Sequence, residues 1–456
     1  MKSDPSEISV PRRLGGPWAG RTGMLAGLLD AGLASLATFV VGIYAVRALD
    51  PEVLGAYALV YYAIFLVGIV PANLVFTPVE IAVVQRPVRS RTAHLGRSLK
   101  LGLPATLLAG LAVALWIPVA PSEVPRSAIL PLTIGGIATA ALSPVQDHVR
   151  RMLHTGGRSW WAAIVSAVQL VTVIGGLLAL SARGVPAAWL PFGALALANL
   201  ASLAIGAVGA WTGPRSEDQP LTLHLGELAH SGRWLVGGGL LNPATGFVSA
   251  AIVSHLAGAA SLGYAEAARV VAQPVWVLAV GLSSVLGPRS MQAAHERRLD
   301  QAREVRRLFL ACVLGAGAVN LVWFGAAWSL NPLAWLLPSA YVVPGLVAAT
   351  ICAQVLGALV FPHRSELLGA RRESTYTRIE LIASLVRAAV STSALAIHAF
   401  AIPIGHIAVV VVRGMGFHEA LSDVYASPHG GEGRSRETAP ATPVDGYVPP
   451  ADPGDL

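Results

Sequence analysis

The sequence predicts an all-α integral membrane protein of about twelve transmembrane helices, arranged as two six-helix pseudo-repeat lobes around a central cavity. Three observations predict it. Hydrophobic residues make up 54% of the chain and charged residues only 12%, about half the charged share of soluble proteins, and mean hydropathy is +0.62. Apolar runs of about 20 residues, the length that crosses hydrocarbon at 1.5 Å per residue, recur from end to end. The basic residues alternate between the segments joining those runs, as the positive-inside rule requires.

Residues 1–23 are polar and basic and read as a cytoplasmic N-terminal segment. No small-residue cleavage pattern closes the apolar run that follows, so that run is a retained first helix. Spans at 24–46, 54–76, 101–120, 127–146, 160–182 and 188–211 make a first lobe over 24–211. A cytoplasmic linker, 212–233, leads to a second lobe over 234–418, with spans at 234–256, 264–287, 308–330, 343–361, 379–398 and 400–418. Each must be a helix, because backbone amides in lipid have to be satisfied within their own segment. The last two are joined by a tight turn marked by Pro403. From Ala426 the chain turns to Pro, Gly, Ser and Asp, and 419–456 reads as a disordered cytoplasmic tail.

Of the 32 Lys and Arg residues, 26 fall in segments assigned to one side of the membrane. Only Arg47, Arg126 and Arg183 fall on the other, and Arg269, Arg387 and Arg413 lie within spans. The bias orients the chain with both termini in the cytoplasm, and a bacterial cytoplasmic membrane is the expected location. Because the basic residues are spread over many short loops, they form no nucleic-acid surface. Asp147, Arg150 and Arg151 fall on an inner loop and read as a solvated pair. Cys312 and Cys352 lie in apolar runs, and His255, His398 and His406 are isolated, so no disulfide framework or metal site is predicted. No phosphate-cradling Gly-Lys-Ser/Thr loop occurs, which excludes a built-in ATPase.

Two echoes suggest an internal repeat. Leu54-Gly55-Ala56-Tyr57-Ala58, at the start of the second span, is echoed by Leu262-Gly263-Tyr264-Ala265 at the start of the eighth. On the inner side, Pro87, Arg89-Ser90 and His94 are echoed by Pro288, Arg289-Ser290 and His295. Helices 1–6 and 7–12 would then be parallel repeats about an axis along the membrane normal.

The segment from Ala45-Val46-Arg47-Ala48-Leu49-Asp50-Pro51 through Gly55-Ala56-Tyr57-Ala58 resembles the "ARxLxPxxxGxYxL" first hairpin of polysaccharide flippases. Leu262-Gly263-Tyr264-Ala265-Glu266-Ala267-Ala268-Arg269-Val270 resembles that family's "LGxYxxAxRL" at helix 8, and Val285-Leu286-Gly287-Pro288 its usual end. These flippases belong to the multidrug, oligosaccharidyl-lipid and polysaccharide exporter superfamily. The resemblance implies a transporter, not an enzyme, that moves a lipid-linked oligosaccharide from the cytoplasmic to the outer leaflet by alternating access. Its partners would be a polyprenyl-linked glycan, membrane lipid and glycan-assembly enzymes. It implies no cofactor, with a proton or sodium ion as the coupling ion. A cation or multidrug antiporter of the same superfamily is the alternative. A membrane glycosyltransferase using Asp50 and Glu52 would need an outer domain that the short outer loops exclude, and a scaffold acting through the tail would leave the intramembrane charges unexplained.

Several polar residues inside spans are candidates for the transport path. Arg387 has no acid within a helical turn and suits a phosphate, which arginine grips bidentately. Asp30, two turns into the first span, is the candidate ion-coupling acid. Glu266, Arg269 and Gln273 form one stripe on the eighth span, where the two charges can neutralise each other. Asn242, Thr245 and Ser249 repeat that spacing on the seventh. Arg387, Arg269, Gln273, Asn242 and Ser249 are therefore the predicted substrate-binding residues, and no catalytic residue is predicted.

Overall fold

A computed structural model describes residues 17–83, 87–212, 225–325 and 331–426. Most of the expected N-terminal segment, linker and tail lie outside these residues. Where the tail was expected from residue 419, the last helix continues to Ala426.

Twelve long helices cross the described structure, and their surface is that of a protein in lipid. Leu107, Leu108, Leu115, Val171 and Leu178 each leave more than half of their surface exposed. The first lobe comprises α1 (Pro17–Ala48), α2 (Pro51–Val83), α3 (Val88–Ala112, ending in a 3₁₀ turn, Val113–Val119), α4 (Arg126–Thr155), α5 (Ser159–Ala182) and α6 (Leu190–Trp211). The second comprises α7 (Leu225–Leu256), α8 (Ala259–His295), α9 (Leu299–Asn320, ending in a π turn, Leu321–Gly325), α10 (Leu346–Gly369), α11 (Glu373–Ser391) and α12 (Ala401–Ala426). Among the described residues eleven are long and apolar enough to cross a membrane. The twelfth, α11, misses because Arg378, Glu380 and Arg387 interrupt it. Several helices outrun their apolar stretch: α4 continues nine residues past the expected end at 146. Asp147, Arg150 and Arg151 are therefore on helix, not on the loop expected for them.

The lobes share one plan. In the first, α1 packs on α5, α5 on α6, α6 on α4, α4 on α3 and α2, and α2 on α3. In the second, α7 packs on α11, α11 on α12, α12 on α10, α10 on α9 and α8, and α8 on α9. The turns repeat as well. At α4–α5, Gly157 takes φ 73° while the amide of Arg158 donates to Leu153; at α10–α11, Arg371 takes φ 57° while the amide of Arg372 donates to Leu367. Between lobes, α2 packs on α8, and the contact of α2 with α7 is matched by that of α8 with α1. An approximate twofold axis thus passes between α2 and α8.

The outer echo lies on that axis. A Cβ on Gly55 would stand 1.9 Å from the carbonyl oxygen of Ala259, and one on Gly263 would stand 2.1 Å from that of Pro51. Each glycine lets the other helix's first carbonyl approach its backbone, so the lobes touch reciprocally here. The inner echo does not correspond: α8 runs through Pro288 to His295, whereas α2 has ended at Val83 before Pro87.

The same end of the molecule is tied by its loops. Glu123, between α3 and α4, accepts the amide of Ala259 at 2.8 Å. From the α9–α10 connection, the Tyr341 hydroxyl donates to Leu49 and the Trp335 carbonyl accepts from Arg47, each at 2.5 Å. Burial, reinforced by Asp50 and Glu52, pushes the Tyr341 hydroxyl well above the usual tyrosine range and keeps it a donor. The end opposite the arginine-rich loops is therefore closed.

α2 is irregular at one place. Pro71 has no amide to donate, and the following turn, Ala72–Phe76, widens to π geometry. That turn faces α7, where Asn73 Nδ2 donates to the Leu235 carbonyl at 3.0 Å and Gly232 and Gly239 lie against Leu74 and Asn73.

Candidate functional site

The first lobe holds a cavity of about 340 Å³ between α1, α2, α4, α5 and α6. A row of amides crosses its wall. Gln146 Nε2 donates to Gln169 Oε1 at 3.4 Å, Gln169 Nε2 to Asn199 Oδ1 at 2.8 Å, and Asn199 Nδ2 to Ser143 Oγ at 3.0 Å. α4, α5 and α6 each contribute. Buried amides need such partners, and sharing them in a chain satisfies most of the set while leaving some donors and acceptors facing the void.

Towards the arginine-rich end the wall becomes ionic. Asp147, Arg150 and Arg151 line it from α4, and Glu80 from α2. Arg150 reaches past the cavity to Asp30 on α1, donating from Nε at 2.9 Å and Nη2 at 2.8 Å. His154 Nε2 at 2.9 Å and the Ser166 hydroxyl at 2.5 Å complete the shell of Asp30. Asp30 is predicted as an ion-coupling acid, but here its carboxylate is already occupied by four donors. A cation could bind here only by displacing one of these donors.

On the opposite flank of α4, His148 stands between Glu80, 2.9 Å from its Nδ1, and Ser98, 2.8 Å from its Nε2. Arg151 lies 3.7 Å from the other oxygen of Glu80.

At the seam between lobes, Arg269 grips Glu266 through two hydrogen bonds of 2.6 and 2.7 Å and lies 5.1 Å above the ring of Tyr61 on α2. Gln273 reaches Thr38 on α1 at 3.4 Å. The predicted stripe on α8 therefore does face the other lobe, with its charges neutralised locally. Asn242 is exposed on α7, between Gly239 and Gly246, the glycines that meet Asn73 and Tyr62 of α2. Ser249, further along α7, is fully buried with its hydroxyl unpartnered among the described residues.

In the second lobe Arg387 projects from α11 beside Gly405 of α12, and Tyr62 and Arg413 lie within its electrostatic reach. Its Nε is buried and finds no hydrogen-bond partner among the described residues. The same is true of Nε2 of His406, whose ring meets Trp276 edge-on with centroids 6.3 Å apart. Two buried acids of this lobe are taken: Glu380 by Arg413 at 2.6 Å, and Glu366 by Arg306 Nε at 3.2 Å and by the Tyr425 hydroxyl at 2.9 Å.

The predicted residues thus divide. Asp30 belongs to the wall of the first lobe, Arg269 and Gln273 to the seam, Asn242 and Ser249 to α7, and Arg387 to the interior of the second lobe. Gln146, Gln169, Asn199, Glu80 and His148 were missed. Their signal was available in part, since Gln169 and Asn199 are polar residues inside apolar runs and Glu80, Gln146 and His148 lie towards the ends of such runs, where a polar residue must find a partner or serve a path.

No family model and no curated protein matches the chain. Solved structures do. An inward-facing multidrug resistance MATE family transporter of the MOP superfamily is 14% identical, with a TM-score of 0.67 over 89% of this chain and 99% of that one. An outward-facing one is 13% identical, with a TM-score of 0.57 over 89% and 96%. A MOP superfamily transporter from Pyrococcus furiosus, described as having a binding pocket of reverse polarity that suggests a different function, is 13% identical, with a TM-score of 0.57 over 90% and 96%. At these identities the likeness establishes the fold, which is that of the MOP superfamily transporters.

Proposed function

We propose that this protein is a membrane transporter that moves an anionic, sugar-bearing polyprenyl lipid from one leaflet to the other by alternating access of its two lobes. Such a headgroup cannot cross hydrocarbon unaided, because its polar groups would lose their hydrogen bonds. A polar cavity inside a lobed bundle supplies substitutes while the lipid tail stays in the bilayer.

The balance of buried charge carries this reading. Four carboxylates, Asp30, Glu266, Glu366 and Glu380, are buried, and each is faced by an arginine: Arg150, Arg269, Arg306 and Arg413. Arg387, by contrast, keeps a buried Nε with nothing to donate to. The charge left over in the interior is positive and suits a phosphate. The amide row with Ser143 suits sugar hydroxyls. The end opposite the arginine-rich loops is closed in this state, and the positive-inside rule assigns the arginine-rich end to the cytoplasm.

The fold is shared with multidrug transporters, which supports cation export as the second reading. That task favours an uncompensated acid in the cavity, and Glu80 is instead met by Arg151, while Asp147 shares Arg150 with Asp30. Proteoliposomes separate the two. Protein-dependent exposure of a fluorescent polyprenyl-diphosphate oligosaccharide to a membrane-impermeant quencher, slowed by Arg387→Ala, is the expected result. Accumulation of a lipophilic cation with no movement of the glycolipid would select the antiporter.

A further inference from the structure

The arginine-rich ends of the two lobes differ, and the difference builds a groove on the flank of the second. α2 has ended at Val83, whereas α8 runs two turns beyond Pro288 to His295. That extension and the first turns of α9 enclose a space of about 660 Å³. Three arginines line it, Arg289, Arg298 and Arg307, against one acid, Glu304. Arg298 is held by Glu296 at 2.9 Å. Arg289 and Arg307 are exposed and make no hydrogen bond or ion pair among the described residues. Beside them the lining is apolar: Leu286, Val305 and Leu308.

The groove continues towards the middle of the membrane. A second space, of about 420 Å³, lies between the same two helices, where Pro274 and Val275 of α8 face Gly315, Val319 and Trp323 of α9. Its lining is apolar apart from Asn320. Both spaces use one side of each helix. On α9, Gln301, Val305 and Leu308 of the first and Gly315, Val319 and Trp323 of the second recur at helical spacing as a single stripe. On α8, Val275 and Arg289 stand about 240° and 200° round from Arg269, at 3.6 residues per turn. Arg269 faces Tyr61 of the first lobe, so the groove points away from the seam between the lobes. Gly315 leaves it open, because a Cβ there would meet nothing within 4 Å.

Head and tail lie at matching depths. Arg307 to Gly315 is eight residues, about 12 Å along the helix, and an acyl chain of one leaflet reaches about 15 Å, half the hydrocarbon core. Leu310 and Leu314, three and seven residues on from Arg307, are exposed, which sets that guanidinium at the end of a lipid-facing stripe, at headgroup level. Two unpaired cations favour a headgroup of net negative charge over a zwitterionic one, whose ammonium they repel. An acidic peptide would meet the arginines but has nothing to lay in the apolar part. A phospholipid fills both.

We propose that this groove holds one anionic phospholipid from the leaflet at the arginine-rich end, with its phosphodiester on Arg289 and Arg307 and an acyl chain running along α9 to Gly315. The site lies outside the cavity of the first lobe and off the seam, so it stands whatever the lobes carry, and its test involves no transport.

Full-length protein in detergent would be titrated with equal amounts of phosphatidylglycerol and phosphatidylcholine, and the retained lipid counted by native mass spectrometry. Phosphatidylglycerol should be retained several-fold over phosphatidylcholine. Arg289→Gln and Arg307→Gln should each lower its affinity about fivefold, and the double variant about thirtyfold, from the attraction of one arginine to an anionic headgroup. Arg97→Gln, at an exposed arginine on the same end of the first lobe, should change nothing. Gly315→Phe fills the deep part from a position with free space and should lower retention several-fold without lowering the unfolding temperature. Should that variant fail to fold, the arginine variants and the lipid comparison still decide. Equal retention of the two lipids, an effect of Arg97→Gln as large as that of Arg289→Gln, or retention indifferent to a folded Gly315→Phe would each overturn the proposal. Retention that rises several-fold when the acidic stretch 437–456 is deleted would assign the arginines to that stretch and overturn it as well.

Discussion

A methyl group at Gly55 would enter the backbone of the opposite lobe. Gly55→Ala places its carbon 1.9 Å from the Ala259 carbonyl oxygen, so α2 and α8 must part by about 1.5 Å to restore an ordinary contact. The obstructing atom belongs to the first turn of a helix and cannot rotate aside as a side chain would. Overpacking of this kind costs about 1–3 kcal/mol, and the rigid neighbour argues for the upper figure, which is about a hundredfold in population. The strain exists only while the end opposite the arginine-rich loops is closed, so the substitution should act on the equilibrium between conformers with little effect on the stability of either lobe. Gly263→Ala should behave alike, since its Cβ would stand 2.1 Å from the Pro51 carbonyl. Because both substitutions wedge one seam, the double variant should cost less than the two singles together. Distances between spin labels on Arg183→Cys and Leu395→Cys, in protein with Cys312→Ser and Cys352→Ser, measure the effect: the long-distance population should rise in each single variant. Unchanged distributions in both would show that these carbonyl contacts do not hold that end shut.

Arg387→Ala should lower glycolipid movement in proteoliposomes at least tenfold with little change in unfolding temperature, because its buried Nε has no hydrogen-bond partner among the described residues to lose; Arg387→Lys should retain part of the activity. Arg150→Ala leaves the Asp30 carboxylate buried with its main partner gone and should destabilise by about 3–5 kcal/mol, whereas Asp30→Asn leaves Arg150 on Asp147, 3.2 Å away, and should be milder; thermal unfolding in detergent compares them. Gln169→Leu strands amides on Gln146 and Asn199 and should destabilise by about 1–3 kcal/mol, with weaker binding of a water-soluble headgroup analogue measured by calorimetry.

What could be read in advance follows from which forces act locally. Span positions are properties of short windows, and they predict the helical bundle correctly. Gly55 and Gly263 stood out because only glycine tolerates so close a carbonyl, and a requirement that strict leaves a repeated letter. Glu266 with Arg269 was legible because helical spacing alone brings them together. Arg150 was not. Hydropathy marks only the apolar part of a helix, so the last turns of α4 looked like loop and the partner of Asp30 stayed hidden 120 residues away. The inner echo misled for a related reason: proline inside α8 looks the same in sequence as proline before α3. Pairings between helices leave no local trace, and His148 with Glu80 and Ser98 is made entirely of them.

Each buried carboxylate finds its arginine on its own helix or on a neighbour in the same half of the molecule, as Asp30 does across α1 and α4 and Glu380 across α11 and α12. No such pair bridges the halves among the described residues. What bridges them is softer: a ring under a guanidinium, one asparagine amide, loop side chains on peptide groups, and bare backbone against glycine. Rocking one half against the other therefore strips no buried charge of its counter-ion. The strong interactions keep each half stiff, and the weak ones set the barrier to movement, so the resting energies of the two orientations can lie close together.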